Sequence, residues 1–283
     1  MLTSVLAAVW ALSAAAAWGA GDFAGGLVAR RMGAFFAVLG SYTVGLLALT
    51  IVALARGEAF PPAQDVLWGA VAGLAGVMGL GFLLRGFAEG RMGIVAPVSA
   101  VLTASIPVVV AALTEGMPRA LQLVGFGVAL AGLWLLSRPQ QHGGRPGGLG
   151  VALLAGVGFG SFYVALDQVG ETSAFWPLAI GRLAALVALA FLALARRHPV
   201  PRGGAPGGLP WGLIVLAGVL DAGGNLFFLL ATQTGRLDVA AVLASLYPVV
   251  TALLAWVVAG ERMTRLQLVG AAAAIVAVML ITT

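Results

Sequence analysis

The chain of 283 residues contains no cysteine and no lysine, and only 9% of its residues are charged. The missing cysteine excludes disulfides and thiol catalysis. The missing lysine excludes a Walker-type phosphate-binding loop, so we expect no direct coupling to ATP within this chain. The two histidines, His142 and His198, lie far apart in arginine-rich stretches that have no carboxylate cluster. We therefore expect no metal site, no histidine-based catalytic centre and no cofactor.

Apolar residues are what the sequence has in abundance. They make up 61% of the chain, and the mean hydropathy of +1.07 is one that water-soluble domains do not reach. Apolar runs of ~20 residues, long enough to cross a bilayer as helices, recur along the whole chain. The predicted spans are residues 2–28, 34–55, 66–88, 93–114, 120–137, 148–166, 174–195, 210–234, 237–260 and 265–282. These runs predict an all-α membrane protein with ten transmembrane helices, the first of them retained rather than cleaved, and no soluble domain.

All fifteen basic residues are arginines, and they mark membrane topology rather than a nucleic-acid surface. Ten lie in the odd-numbered loops between predicted spans: Arg30, Arg31, Arg91, Arg138, Arg145, Arg196, Arg197, Arg202, Arg262 and Arg265. The even-numbered loops hold three, Arg56, Arg119 and Arg236, while Arg85 and Arg182 lie inside spans. Because cytoplasmic loops are enriched in basic residues, we expect the odd loops inside and both termini outside the cytoplasmic membrane.

Several short motifs recur in the same order in the two halves of the chain. The motif LQLVG at 121–125 returns at 266–270, ALAR at 53–56 returns at 193–196, and WG and GR recur at similar offsets. This order predicts a duplication, with one repeat at 1–137, a linker at 138–148 and a second repeat at 149–283. Each repeat has an odd number of spans, so the second enters the membrane inverted. Inverted repeats are typical of transporters that alternate access to a central site.

Longer stretches of the two halves resemble a known family. Two stretches, VSAVLTASIPVVVAALTEG…LQLVGFGVALAGLWLL and LASLYPVVTALLAWVVAGERMTRLQLVGAAAAIVAVMLI, look like the last two helices of each repeat in EamA-type transporters of the drug/metabolite transporter superfamily. AWGAGDF at 17–23 resembles the Trp-Gly motif of their first helix. The resemblance implies ten helices in two inverted five-helix repeats. It also implies a cavity lined mainly by the first, third and fourth helices of each half, and export of amino acids, other metabolites or drugs, with sugar import in some relatives. Better-studied members are usually drawn with cytoplasmic termini, which differs from the arginine count.

Polar side chains inside the spans are the first candidates for function, because they are costly at membrane depth. Asp221 lies near the middle of the eighth span, with Asn225 one turn later, and is the only acid that the predicted spans place at that depth. Arg182 lies near mid-depth of the seventh span. Asp221 is predicted to bind a proton or a substrate ammonium, with Arg182 binding a carboxylate or tuning the acid; the alternative is a permanent structural ion pair.

The remaining candidates each have a structural alternative. The hydroxyls of the fourth and ninth spans could contact substrate or bond to their own helix, and the aromatic residues could stack on substrate or pack against neighbours. Asp22 could belong to a gate or to a solvated helix end, and Arg85 with Glu89 could form a gate or an interfacial ion pair. The hydroxyl and aromatic candidates are Ser99, Thr103, Ser245, Tyr247, Trp18, Tyr163 and Phe227.

The sequence thus predicts a secondary transporter, not an enzyme, that exports a small amino acid-like or drug-like metabolite in exchange for protons. An importer of sugars or other neutral solutes is the alternative, in which Asn225, Gln233 and Ser245 would contact the solute. A membrane-embedded lipid-modifying enzyme is a remote alternative, since it needs a cluster of acids or histidines at one interface. The expected partners are a small-molecule substrate, the lipid bilayer and protons, with no nucleic acid, and we expect the chain to work as a monomer.

Overall fold

The computed structural model describes residues 2–88, 92–137, 148–196, 210–260 and 263–282, and every regular element in these ranges is helical. A bilayer offers the backbone no hydrogen-bond partners, so apolar runs of this length satisfy their own amides as helices. The helices are α1 (Leu2–Met32), α2 (Ala34–Ala55), α3 (Ala63–Ala88), α4 (Met92–Thr114), α5 (Ala120–Leu136), α6 (Leu149–Asp167), α7 (Phe175–Arg196), α8 (Trp211–Thr234), α9 (Leu237–Ala244), α10 (Tyr247–Ala259) and α11 (Arg265–Thr282).

Within the described ranges, nine stretches are long and apolar enough to cross a membrane, and α5 is a shorter apolar helix. The predicted ninth span is two helices, α9 and α10, and this corrects the single helix expected over 237–260. The break falls at Ser245–Leu246, just before Pro248 in the first turn of α10. Proline has no amide hydrogen and fits best in the first turn of a helix, so Pro248 favours a new helix start here.

Two helix boundaries also differ from the predicted spans. The first helix continues to Met32 rather than ending near residue 28, and the third begins at Ala63 rather than at residue 66. Gly33, with φ of 87°, then reverses the chain into α2. This is a backbone conformation that side-chain-bearing residues rarely adopt. The extension of α1 moves Asp22 away from the helix end and into the membrane.

Most close helix pairs join the first half of the chain to the second. The helix α1 packs on α8, α3 and α4 pack on α6, and α2 packs on both α7 and α8. Small residues allow these approaches: a methyl group at Gly73 would overlap the backbone of Gly181, and one at Gly158 would overlap that of Gly79. Such close backbone approach is the usual way in which membrane helices associate. The two halves are therefore interleaved rather than separate bundles.

The helices α5 and α11 form a pair in which each carries one copy of LQLVG. The terminal glycine of each copy packs against the end of the other helix: Gly125 against Leu280 and Ile281, and Gly270 against Leu135 and Leu136. The two sets of contacts are related by the 145-residue offset of the repeat. Reciprocal contacts between antiparallel, equivalent helices are what a twofold axis within the membrane plane produces. The fold therefore consists of two inverted five-helix repeats, in which α9 and α10 together count as one broken helix.

Candidate functional site

A cavity of about 440 Å³ lies between the two halves. The largest contributions come from α1, α2, α3, α6 and α8, so α2 forms a wall that the family resemblance had not included. The lining residues are Trp18, Gly21, Asp22, Gly25, Gly26, Ala29, Ala34, Ala37, Val38, Ser41, Tyr42, Gly76, Leu80, Leu83, Thr103, Phe159, Phe162, Tyr163, Arg182, Ala217, Asp221, Asn225 and Tyr247. Its volume falls within the range typical of small-molecule sites, ~300–1,000 Å³.

The cavity reaches toward one face of the membrane only. Ala29 and Ala34 lie beside the α1–α2 connection, and Leu83 lies near the end of α3. We call this the odd face, because the odd-numbered loops lie on it, and the opposite side the even face. Trp18, at the deep end, is fourteen residues before Met32, or ~21 Å along the helix. The cavity therefore extends from the odd face past the middle of the membrane.

The deep end is built around Trp18 and Asn225. The Nε1 of Trp18 donates a buried hydrogen bond of 3.0 Å to Oδ1 of Asn225. A methyl group at Gly224 would overlap the indole ring, so only glycine lets α8 lie this close to α1. Tyr163 stacks on Trp18 with ring centroids 5.6 Å apart, and Phe228 stacks on Tyr163 at 4.4 Å. An aromatic cluster, held in place by the side-chain amide of Asn225, thus closes the deep end of the cavity.

Arg182 and Asp221, predicted at similar depth, form an ion pair in the cavity wall. Nη2 of Arg182 lies 2.5 Å from Oδ2 of Asp221, and the exposed fractions of the two side chains are 6% and 30%. The guanidinium also lies over the ring of Tyr42, 4.4 Å from its centroid. Arg182 is thus covered by an acid and an aromatic face, and Asp221 is the more accessible partner.

Asp22 lies in the same cavity, which corrects the placement at a helix end. It is ten residues before Met32, and Asp221 is ten residues after Trp211, so each lies ~15 Å from the odd-face end of its helix. Gly21 packs against the backbone of Asp221, which brings the two carboxylates into electrostatic contact. Asp221 is therefore not the only acid at membrane depth. The predicted end of α1 at residue 28 lies before the observed end at Met32, so the sequence placed Asp22 too close to the end of the helix.

Two of the four hydroxyl candidates are bonded to their own helix. Ser99 donates to the carbonyl of Ala96, and Thr103 donates to the carbonyl of Ser99, although Thr103 also lines the cavity. Ser245 is buried at the α9–α10 break and does not line the cavity. Tyr247, two residues later, does line it. Of these four side chains, the structure brings Thr103 and Tyr247 to the site.

Phe227 and Arg85 do not lie at the cavity. Phe227 stacks on Trp10, with ring centroids 5.7 Å apart, and its neighbour Phe228 takes the place beside Trp18. One residue is ~100° around a helix, so the sequence alone does not separate these two. Arg85 is exposed near the end of α3, and its predicted partner Glu89 lies outside the described residues. No group of three or more potential metal ligands occurs in the described part of the chain.

At the even face, acids of the first half bind backbone amides of the second. Glu58 accepts hydrogen bonds from the amides of Ala174, Phe175 and Trp176 at the start of α7. Asp65 accepts one from the amide of Gly170 at 3.0 Å. Carboxylates at a helix N-terminus satisfy its free amides and its dipole. The α2–α3 segment is thereby joined to the α6–α7 segment.

A second set of even-face contacts joins the α4–α5 loop to the start of α9. Arg236 donates to the carbonyls of Glu115 and Gly116 and forms an ion pair with Asp238 at 2.8 Å. The amide of Leu237 donates to Glu115. Partial burial raises the pKa of Glu115, an effect that the Leu237 amide and Arg236 reduce. The hydrogen bond to Asp238 raises the pKa of Arg236.

Tyr42, together with the placement of Asp22, is what sequence reasoning missed. Tyr42 lies in α2, a helix that the family resemblance did not place at the cavity, and its ring covers Arg182. A search for aromatic residues inside spans would have found it, because only three tyrosines occur in the chain. Nothing in the sequence indicated that it faces Arg182.

The comparisons with known proteins agree with the fold. The EamA-like transporter family matches the chain twice, over residues 5–138 and 146–283. One solved structure, described simply as a crystal structure of a protein, is similar with a TM-score of 0.78. It has 20% sequence identity and covers 98% of both chains, which supports the fold. No curated protein matches the chain.

Proposed function

The chain belongs to the EamA-like transporter family and is a multi-pass membrane transporter of small solutes, and we propose that it exports an organic metabolite in exchange for protons. The observation that carries this proposal is the asymmetry of the central cavity. The cavity reaches the odd face, while contacts between the two halves close the even face. In alternating access, the same halves would part at the even face and close at the odd face.

The direction of transport follows from the predicted orientation. With odd loops in the cytoplasm, this conformation faces inward and loads solute from the cell interior. Opening at the even face breaks the contacts of Glu58, Asp65 and Arg236, most of which are made to backbone groups. Each is a single hydrogen bond of modest net strength, so a conformational change can replace it with a bond to water.

Proton coupling is proposed from the charges that line the cavity. Asp22 and Asp221 are acids, and Arg182 is the only base among the lining residues that the structure describes. Arg182 balances one acid, which leaves one negative charge at membrane depth for a proton or a solute to balance. Alternation between these two partners would couple solute export to proton entry.

Import of a neutral solute has less support from the polar groups. Asn225 already bonds to Trp18, and Gln233 donates to the carbonyl of Gly170 at the even face. Ser245 does not line the cavity. Of these three groups, Gln233 and Ser245 do not line the cavity, and the side-chain oxygen of Asn225 is already bonded to Trp18.

The test is solute flux in proteoliposomes under imposed pH gradients, with solutes chosen by a thermal-shift screen of amino acids, sugars, nucleosides and organic cations. We expect Asp221→Asn to reduce gradient-driven flux at least tenfold and to remove its pH dependence, because Arg182 would then balance Asp22. Asp167→Asn, which changes an acid away from the cavity, is the matched control. Unchanged flux and pH dependence in Asp221→Asn would remove Asp221 from the mechanism.

A further inference from the structure

The two acids of the cavity are not equivalent. Asp221 forms an ion pair with Arg182, whose Nη2 lies 2.5 Å from Oδ2 of Asp221, and the ring of Tyr42 covers the guanidinium. Asp22 is exposed to the cavity, and no cation pairs with it within the described ranges. Its electrostatic neighbour is the second acid, Asp221. The unbalanced negative charge of the cavity therefore belongs to Asp22.

The surroundings of Asp22 are aromatic. Trp18 lies one turn before it on α1, and the rings of Phe159, Phe162 and Tyr163 line the same cavity from α6. Tyr247 adds an edge from α10, with its ring centroid 6.4 Å from that of Trp18. Aromatic faces attract cations, most strongly where water is displaced. The cavity thus combines a free carboxylate with walls that suit a flat apolar body carrying positive charge.

A carboxylate-bearing solute fits this arrangement less well. To bind Arg182 it would have to displace Asp221 from a close ion pair, and the Arg182 side chain is only 6% exposed. Displacement would leave Asp221 unpaired beside Asp22, and unpaired charges at such a site are costly. An anion or a zwitterion therefore gains one ionic contact only by breaking another.

We propose that Asp22 is the substrate-binding carboxylate of the cavity and that the transported solute is an organic monocation with an aromatic or flat apolar body. This inference rests on the proposed function and names its substrate class. A proton and the cation compete for the same carboxylate, so binding of the cation releases the proton. Asp221 and Arg182 together form a neutral wall beside the site.

The competition with protons involves every ionisable group that faces Asp22. These groups are Asp221 of α8, Tyr42 of α2, Tyr163 of α6 and Tyr247 of α10, with Arg182 of α7 beyond Asp221. The helices α9 and α11 also contact α1, but Asp238 and Arg265 lie in their first turns. Asp22 and Asp221 are the two carboxylates among these groups, so protonation of a carboxylate is the step that competes with binding of the cation.

The test compares indoles of one shape and different charge: tryptamine, the neutral tryptophol, zwitterionic tryptophan and anionic indole-3-propionate. Binding to the purified full chain in detergent is measured by calorimetry. We expect tryptamine to bind at least tenfold more tightly than the other three and to lose affinity as the pH falls. Asp22→Asn should weaken the binding of tryptamine at least tenfold and leave the affinity for tryptophol unchanged. Asp22→Glu should retain the preference for tryptamine over tryptophol. Asp167→Asn serves as the control.

A measurement on the unaltered protein avoids any folding defect of the variants. Dicyclohexylcarbodiimide labels protonated carboxyls in apolar sites, and we expect tryptamine to suppress its labelling of Asp22, read out by peptide mass spectrometry. Equal binding of tryptamine and tryptophol, or labelling of Asp22 that tryptamine leaves unchanged, would overturn the assignment. Binding needs no transport, so tryptamine binding without any flux would instead contradict the proposed function.

Discussion

At the scale of single residues, the arrangement of Trp18, Gly224 and Asn225 decides whether the cavity has a closed end. The indole donates to the amide and lies where a side chain at Gly224 would project. The adjacent Gly223 faces open space. Two neighbouring glycines therefore have different roles, one required for packing and one not.

We predict that Gly224→Ala destabilises the protein by about 1–3 kcal/mol, because the new methyl group must push Trp18 out of its position. The Trp18–Asn225 hydrogen bond should be weakened as well. Gly223→Ala is the control, since a methyl group there meets nothing within 4 Å. Thermal unfolding in detergent, followed by tryptophan fluorescence, compares the two variants. Equal melting temperatures for both would contradict the assigned contact.

At the scale of helices and loops, the even face is closed by acids of the first half and backbone groups of the second. Glu58 and Asp65 bind at the α6–α7 segment, and Glu115 binds at the start of α9. These contacts lie at helix and loop ends, where opening of the face would replace them with bonds to water. The helix crossings rest instead on small residues in the apolar interior. The even-face contacts are thus the part of the interface suited to opening.

The raised pKa of Glu115 predicts how pH affects this closure. The closed face raises the pKa of Glu115 above its ordinary value of 4.5, so the closed form binds a proton more tightly than an open form with Glu115 in water. Closure should therefore be favoured at pH values below 4.5 and lose that advantage as the pH rises through the raised pKa.

Spin labels on Met117→Cys and Glu171→Cys measure this effect, since both sites are exposed at the even face and the chain has no other cysteine. We expect the distribution of distances between the labels to shift toward shorter values on acidification. In Glu115→Gln, which keeps an oxygen for the Leu237 amide, the shift should disappear. The same pH response in that variant would assign it to another group.

At the scale of the whole molecule, the two inverted repeats share one arrangement of helices but differ in the side chains that line the cavity. The α5–α11 pair keeps the twofold relation residue by residue, but the cavity does not. Asp22 and Asp221 lie on α1 and α8, which are not equivalent helices, and Arg182 has no arginine counterpart in α2. The scaffold therefore retains the symmetry that lets it alternate, while the charges make the two sides of the cavity different.

The orientation of the chain remains a prediction, which introduced cysteines can test. We expect a membrane-impermeant maleimide to label Met117→Cys in intact cells and His142→Cys only after permeabilisation, because Met117 lies at the even face and His142 belongs to an odd loop. The cysteine-free parent chain is the control for background. The reverse pattern would place the termini in the cytoplasm and turn the open cavity outward.

The sequence by itself determined the membrane class, the ten apolar spans, the duplication and the mid-depth position of Arg182 and Asp221. These follow from local physics: bilayer thickness sets the length of an apolar run, and the cost of burying charge makes each exception informative. Local sequence patterns specify the ends of helices less well. The helix α1 continues to Met32, beyond its predicted end at residue 28, and this extension places Asp22 deeper in the membrane than predicted.

Only the tertiary structure decided which side of each helix faces the cavity. It placed Phe228 rather than Phe227 beside Trp18 and set Tyr42 over Arg182. It also left Asp22 as the cavity acid with which no cation of the described ranges pairs. A helix that is apolar all round carries no pattern that specifies its rotation about its own axis. That rotation is set by contacts between distant parts of the chain, such as Trp18 with Asn225, which are 207 residues apart in sequence.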